Sequence, residues 1–170
     1  MKPFLKYALI ASVATMIWSL ILFLTDVWRT DYGAYLNYVS YILILIFMVI
    51  AINEEKQNYG GYISYGQAFK IGFLMMVVLS VIVCVYTYMY FTQINPEIIQ
   101  FSRDKAIADM EEKGMTQEQI DQAMSIAGRF MSPGVMTFFA LFGNVFFGCI
   151  FALIIAAILK KDKPLFEDNI

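Results

Sequence analysis

The sequence predicts an all-α integral membrane protein with four transmembrane helices and an extracytoplasmic helical hairpin between helices 3 and 4. Of its 170 residues, 60% are hydrophobic and only 15% are charged, which is unusual for a soluble domain. Four stretches of 19, 22, 26 and 30 residues carry no charge, and each can cross a hydrocarbon core about 30 Å thick as a helix. The apolar runs also lack the alternation that membrane β-strands require. We expect one membrane domain over residues 1–170.

The first two spans are predicted over about residues 5–25 and 34–52. Lys2 and Lys6 precede the first apolar run, a pattern that also begins a secretory signal. The run is too long for a signal and no Ala-x-Ala pattern follows it, so we expect an uncleaved anchor. The second span is rich in Ile and Leu and has no stripe of small residues below Ser40. We therefore expect it to face lipid.

The third span is predicted over about residues 68–91. It follows a flexible turn at Gly60–Gly61, and Ser64 with Gln67 has the spacing of a capping box. Lys70 stands at the threshold of the span. One interpretation is that its ammonium group reaches the lipid headgroups and only orients the helix. The alternative is that Tyr65, Gln67 and Lys70 bind an anionic lipid phosphate or a partner's carboxylate.

Residues 95–132 are predicted to form the helical hairpin outside the membrane. Pro96 opens its first helix and Gly114 ends it. Thr116 and Gln119 have capping-box spacing at the start of the second helix, which should run to about Met131. Each helix carries one apolar stripe. The two stripes are expected to pack on each other, and burial in the outer leaflet or by a partner are the alternatives.

The fourth span, over about residues 134–159, has a small or polar residue at every fourth position, and the first span has a similar face. Small residues let helix backbones approach closely in lipid, so we predict that these two spans pack together. The predicted seam consists of Ser12, Thr15, Ser19, Ala140, Asn144, Gly148 and Ala152. An unpaired Asn144 amide would cost several kcal/mol in hydrocarbon. We expect it to bond to a hydroxyl of the first span; contact with a ligand is the alternative, and the seam itself could instead be an oligomer or partner interface.

The distribution of positive charge predicts the orientation. Seven of the twelve Lys and Arg residues fall on the side of the termini; four of the other five lie in one long loop, and nine of the fourteen acids lie on the same side as these five. Loops next to the membrane carry their excess of Lys and Arg on the cytoplasmic side. Both termini are therefore predicted to be cytoplasmic.

The sequence lacks the residues that several classes of chemistry require. There is no histidine, no Gly-rich phosphate loop and no cysteine cluster. Cys84 and Cys149 lie inside apolar segments, where packing is their expected role. The span interiors hold no ionisable residue, which argues against a proton or ion pump but not against lipid movement. We expect a non-enzymatic protein with no catalytic residue, cofactor, metal or nucleic-acid partner.

Three motifs carry a family resemblance. SYGQAFKIGF, the aromatic run YTYMYF and INPE resemble the domain-of-unknown-function 4199 family, small four-span membrane proteins of Bacteroidetes-type bacteria, along nearly the whole chain. The family's motif falls on Gly66, Gln67, Lys70 and Gly72. The resemblance implies a bacterial cytoplasmic (inner) membrane location and brings no established activity. Genes of the family often neighbour those of glycosyltransferases that use polyprenyl phosphate sugars, which suggests an accessory role beside such an enzyme.

The leading hypothesis is an accessory or scaffold protein that docks an enzyme on the cytoplasmic face through residues 53–70. Its expected partners are membrane lipids, a membrane-associated glycosyltransferase or another protein, and a second copy of the chain. The alternative is a transporter or flippase component for a lipid-linked substrate, using a seam at Asn144. A polar cavity among the spans would favour transport, whereas a dry core with an exposed apolar face would favour scaffolding.

Overall fold

The computed structural model describes residues 1–163, except for the side chains at positions 31 and 34. The regular elements in this range are helices α1 (Pro3–Leu24), α2 (Asp31–Asn58), α3 (Tyr65–Met89), α4 (Glu97–Glu112), α5 (Gln117–Phe130) and α6 (Pro133–Leu159), with a 3₁₀ turn at Val27–Arg29 and a π turn at Tyr90–Ile94. Four helical stretches are long and apolar enough to cross a membrane: Pro3–Leu24, Tyr35–Asn58, Tyr65–Ile94 and Pro133–Leu159. The chain is a multi-pass, all-α membrane protein, as the sequence predicts.

Helices α2 and α3 extend beyond the apolar stretches that predict their spans. Helix α2 continues through the polar residues 53–58, and α3 begins at Tyr65, which is three residues before the predicted span at 68 and directly after Ser64, where the capping box predicts the start of the helix. The difference has a physical cause, because hydropathy marks the part of a helix that suits lipid. Backbone hydrogen bonding continues into polar sequence until a turn ends it.

The described chain forms two compact units. The first contains Met1–Val83 and the segment that begins at Gly143, and the second is Cys84–Phe142. The predicted hairpin, residues 95–132, lies within the second unit, which also contains the adjoining ends of α3 and α6. The division therefore falls inside these two helices and not at the ends of the hairpin.

In the first unit, α1 and α2 run antiparallel. Near the start of α1, Lys6 Nζ lies 2.8 Å from Glu54 Oε2 near the end of α2. Further along α1, the indole nitrogen of Trp18 donates a hydrogen bond of 2.9 Å to the carbonyl oxygen of Leu36. Because the second contact lies later in α1 and earlier in α2, the two helices are aligned along most of their length.

The core of the first unit is mainly apolar and draws on all four long helices. It contains Ala8, Ala11, Ile44, Met48, Ala51, Ile52, Ile63, Ala68, Ile71, Met75, Met76, Leu79, Ala152, Ile155 and Ala156. The expectation that the second span faces lipid is wrong for one side of α2, since Met48 is fully buried while Ile42 and Ile46 on another side are exposed. Met48 packs without a small-residue stripe of its own because the space is provided by Gly72 of α3.

Two glycines, one in α3 and one in α6, lie at close approaches between helices of this core. A Cβ atom placed on Gly72 would lie 3.1 Å from Ala152 Cβ and 3.2 Å from Met48 Sδ. A Cβ atom placed on Gly148 would lie 2.6 to 2.8 Å from three side-chain atoms of Met76. The contacts advance along α3 as they recede along α6, so these helices are also antiparallel.

In the second unit, α4 and α5 form the predicted helical hairpin and contact each other. Gly114 turns the chain between them with φ of 75°, a conformation that glycine adopts without a steric penalty. The capping box predicted at Thr116 is formed, with Gln119 as its second member. The guanidinium group of Arg103 donates a hydrogen bond of 3.4 Å to the carbonyl oxygen of Gly128.

Candidate functional site

The loop between α2 and α3 is hydrogen-bonded to the chain just after the end of α6. Gly60 and Gly61 have φ of 70° and 88°, which lets the chain turn sharply after α2. Ile63 then pairs with Lys161 through two backbone hydrogen bonds of 2.9 Å each, and its side chain is buried. We call this part of the first unit the terminal end, because the start of α1 and the end of α6 both lie there.

Polar side chains add further links at the terminal end. Lys56 Nζ donates a hydrogen bond of 2.9 Å to the carbonyl oxygen of Leu159, where a cation complements the negative end of the helix dipole. Glu54 Oε2 accepts hydrogen bonds from Lys6 at 2.8 Å and from the Tyr7 hydroxyl at 2.6 Å. The Lys6 and Glu54 side chains are about a third exposed, so the pair itself contributes little to stability. Its main effect is to hold the start of α1 against the end of α2.

A pocket of about 240 Å³ opens in this fastened region. It is lined by Tyr59, Tyr62, Ile63, Ser64, Gln67, Lys161, Asp162 and Lys163. The ammonium nitrogen of Lys161 lies 5.1 Å from the centre of the Tyr62 ring, within range of a cation–π interaction. Among the described lining residues there are two lysines and one acid, and this balance of charge favours an anionic ligand.

The structure places one of the three predicted binding residues in this pocket. Gln67 lines it, and Gln67 Oε1 accepts hydrogen bonds of 3.1 Å from the backbone and the hydroxyl of Ser64, which forms the predicted capping box. Tyr65 and Lys70 are exposed on α3 and do not contribute to the lining. Lys70 forms no hydrogen bond or ion pair with any residue of the described range.

Sequence reasoning missed the lysines of the pocket because they are distant from Gln67 along the chain. Lys161 and Lys163 were counted only as positive charges near a span end. A signal was present in Ile63, an aliphatic residue between polar and aromatic neighbours in a loop. Such a residue is usually buried against another element. The pattern does not show that this element is the end of α6.

Two members of the predicted small-residue seam contact α3 in the structure. Gly148 lies against Met76 and Ala152 lies against Gly72, so both contact α3, whereas the first span was predicted. The reason is that α3 supplies a glycine and a flexible methionine at matching levels. Ala140 is half-buried in the second unit.

The hydroxyl groups of α1 do not bond to Asn144 as predicted. Ser12, Thr15 and Ser19 each donate to a carbonyl oxygen three or four residues earlier in α1, at 2.7 to 3.0 Å. Helical Ser and Thr commonly bond in this way. Within residues 1–163, the half-buried Asn144 side chain forms no hydrogen bond. The expected interhelical bond is therefore absent from the described chain.

A second polar residue lies at the level of Asn144. One further turn along the antiparallel contacts between α3 and α6 places Ser80 opposite Asn144. Ser80 is fully buried and its hydroxyl oxygen has no hydrogen-bond partner in the described structure. The seam therefore contains one polar level within otherwise apolar packing.

Two larger grooves have mainly apolar walls. One, of about 390 Å³ in the first unit, is lined by Tyr38, Tyr41, Phe147 and Phe151. The other, of about 400 Å³ in the second unit, is lined by Cys84, Val85, Tyr88, Met89, Gly134, Thr137, Phe138 and Leu141. Such walls suit lipid chains better than charged groups. Among the described side chains, no three His, Cys, Asp or Glu residues are grouped so that they could hold a metal ion.

One comparison with known proteins identifies a family. No curated protein and no solved structure matches the chain. The model of the family described as "Protein of unknown function (DUF4199)" matches residues 6–161. This range contains the motifs around Lys70, the whole second unit and most of the first unit. The chain therefore belongs to the DUF4199 family.

Proposed function

We propose that this protein is a non-enzymatic accessory or scaffold protein of the bacterial cytoplasmic membrane. The observation that carries the proposal is the contrast between a mainly apolar core and a polar terminal end that is held by several hydrogen bonds. The buried side chains described in the first unit are apolar apart from Ser12, Thr15 and Ser80, and the hydroxyl groups of Ser12 and Thr15 bond to the backbone of α1 itself. A protein that moves a polar substrate across lipid needs a polar path, whereas a scaffold needs a rigid body and a recognition surface.

The same proposal includes an orientation, with both termini in the cytoplasm and the α4–α5 hairpin outside it. In support, Lys6, Lys56, Lys161 and Lys163 gather at the terminal end, and the acids of the sequence are concentrated in the hairpin. The positive-inside tendency then places the terminal end in the cytoplasm. Protease treatment of intact cells would cut the hairpin and spare a terminal tag; cleavage of the tag alone would reverse the orientation.

The proposed partner is a membrane-associated enzyme that contacts residues 53–70, with a polyprenyl-phosphate glycosyltransferase as the first candidate. This segment contains the loop fastened at Ile63, so its exposed side chains are presented without a large ordering cost. Tyr65 and Lys70 are exposed there.

Co-purification tests the docking proposal. Tagged protein is extracted in mild detergent, and retained proteins are identified by mass spectrometry. A Tyr65→Ala and Lys70→Gln double variant should lose the retained enzyme. A matched Tyr35→Ala variant, which alters an exposed tyrosine near the other end of α2, should keep it. Equal retention by both variants, or no specific protein at all, would count against docking through this segment.

One observation favours a second candidate function, a transporter or flippase component for a lipid-linked substrate. Ser80 and Asn144 form a polar level in the α3–α6 seam, and neither side chain makes a hydrogen bond in residues 1–163. In vesicles containing a fluorescent lipid-linked sugar, a transporter would accelerate quenching by an external reagent, and Asn144→Leu would abolish the acceleration. Equal rates with and without the protein would leave scaffolding as the better account.

A further inference from the structure

We infer that the pocket at the terminal end binds the phosphate diester headgroup of an anionic glycerophospholipid. This inference adds a ligand to the proposed function. It rests on that function only in treating the terminal end as a recognition surface, and it requires no protein partner. The residues that carry it are Tyr62, Gln67, Lys161 and Lys163.

The pocket lies at the depth where headgroups are found. Helix α2 ends at Asn58, α3 begins at Tyr65 and α6 ends at Leu159, and the pocket is built from residues just beyond these points. These are the ends of three apolar, membrane-crossing helices. A phospholipid beside the helices can therefore place its phosphate in the pocket while its chains stay in the hydrocarbon.

The chemistry of the lining suits a phosphate diester. Lys161 and Lys163 supply ammonium donors, and Asp162 is the one acid among the described lining residues. Gln67 uses its Oε1 in the capping box, while its NH₂ group has no hydrogen bond in the described chain and can donate to a ligand. Basic pockets between the ends of membrane helices are a recurrent way of binding lipid phosphates.

The pocket is also organised before a ligand arrives. The backbone of Lys161 is held by two hydrogen bonds to Ile63, and its ammonium group lies over the Tyr62 ring. Little conformational freedom remains to be lost at Lys161 on binding, which favours affinity. A lipid has an additional advantage over dissolved phosphate, because the membrane already confines it near the pocket at high local concentration.

The experiment compares lipid retention by the full chain and its variants. Purified protein in a neutral detergent is titrated with phosphatidylglycerol, and bound lipid is counted by native mass spectrometry. We expect the Lys161→Gln and Lys163→Gln double variant to bind about fivefold more weakly for each lysine removed. The matched control is Lys2→Gln with Lys160→Gln, which removes two exposed lysines of the same end that do not line the pocket. It should bind as the wild type does.

Further arms separate charge, folding and the source of the phosphate. A Lys161→Arg and Lys163→Arg variant should retain binding, and thermal unfolding should be similar for all variants because the backbone pairing of Lys161 does not use its side chain. If the double Gln variant binds lipid as the wild type does, or if the control loses as much binding, the pocket is not the lipid-binding site. Complete displacement of the lipid by millimolar inorganic phosphate would overturn the lipid as ligand. Because the sample contains no partner protein, none of these failures would bear on docking through Tyr65 and Lys70.

Discussion

Each compact unit contains a glycine at a close approach between helices, and the two glycines differ in what they face. In the first unit, a Cβ atom on Gly148 would meet the Cβ and Cγ atoms of Met76 at 2.8 and 2.7 Å. In the second, a Cβ atom on Gly128 would meet the tip of the Arg103 side chain at 3.0 Å. The base of a side chain cannot move without its helix, whereas the tip of an arginine can. The same residue type is therefore strictly required in one seam and replaceable in the other.

The environments of the two seams explain why they tolerate different contacts. Helices in lipid gain little from burying apolar surface against each other, so α3 and α6 depend on close packing. Helix α5 has an apolar stripe that includes the buried Ile120. In the orientation proposed above the hairpin lies in water, where burial of such a stripe stabilises it even when the polar contacts are loose. Substitutions at matched glycines can separate these two modes of packing.

The largest effect is expected for Gly148→Ala. The added methyl group overlaps the base of Met76, and overpacking of this kind costs roughly 1–3 kcal/mol. We place Gly148→Ala at the upper end of that range because backbone movement is needed. The measurement is thermal unfolding of the full chain in detergent.

The control for this prediction lies on the same helix. A Cβ atom on Gly143 has no neighbouring atom within 4 Å, so Gly143→Ala should unfold at the wild-type temperature or above it. In a double-mutant cycle, Met76→Ala should make Gly148→Ala less costly, because the overlapping atoms are gone. Additive losses in the cycle would show that Met76 is not what excludes a side chain at position 148.

A smaller loss is expected for Gly72→Ala, at about 1 kcal/mol. Here the added methyl group would lie 3.1 Å from Ala152 Cβ and 3.2 Å from Met48 Sδ. The sulfur can move with its flexible side chain, and the rest of the adjustment is a few tenths of an ångström. Unfolding of Gly66→Ala, whose Cβ would have open space, provides the baseline. A loss for Gly72→Ala as large as that of Gly148→Ala would mean that flexibility of the neighbour does not matter in this core.

These seams also show what the sequence could and could not predict. The capping boxes at Ser64 and Thr116 were predictable because their partners are three residues away, and both are formed. Gly148 and Ala152 were identified as close-packing residues, since their spacing alone indicates a small face. Their contact with α3 was not predicted, because several helices have a face of small residues. The choice among these helices depends on how side chains that are far apart in the sequence fit together.

The candidate site was harder to predict for the same reason. Gln67 was found through its motif, but the pocket depends on a pairing between Ile63 and Lys161 that joins residues almost a hundred positions apart. Backbone pairing of that kind leaves no side-chain pattern in a single sequence. Lys70 was favoured because it stands out in an apolar run, yet prominence in sequence does not place a side chain in a pocket.

A third prediction concerns local order in the hairpin. Thr116→Ala removes the hydroxyl that accepts a hydrogen bond from the Gln119 backbone, and an exposed cap of this type contributes about 0.5 kcal/mol. Hydrogen exchange of the full chain should be faster over the first turn of α5 and unchanged in α1. Ser125→Ala is the matched control, because its hydroxyl only bonds back to Gln122 within the helix. Faster exchange in both variants would show that the effect is not due to the cap.

The smallest effect is expected for Gly128→Ala, and it decides the comparison with Gly148. The methyl group meets only the end of Arg103, whose hydrogen bond to the Gly128 carbonyl is already long at 3.4 Å, so its loss should cost little. Alanine also favours the helix over glycine by up to about 1 kcal/mol. Hydrogen exchange across α5 should therefore stay the same or slow down. If exchange instead accelerates across the whole helix, the contact between Gly128 and Arg103 tolerates an added methyl group no better than the contact between Gly148 and Met76. The two units would then not differ in how strictly they require glycine.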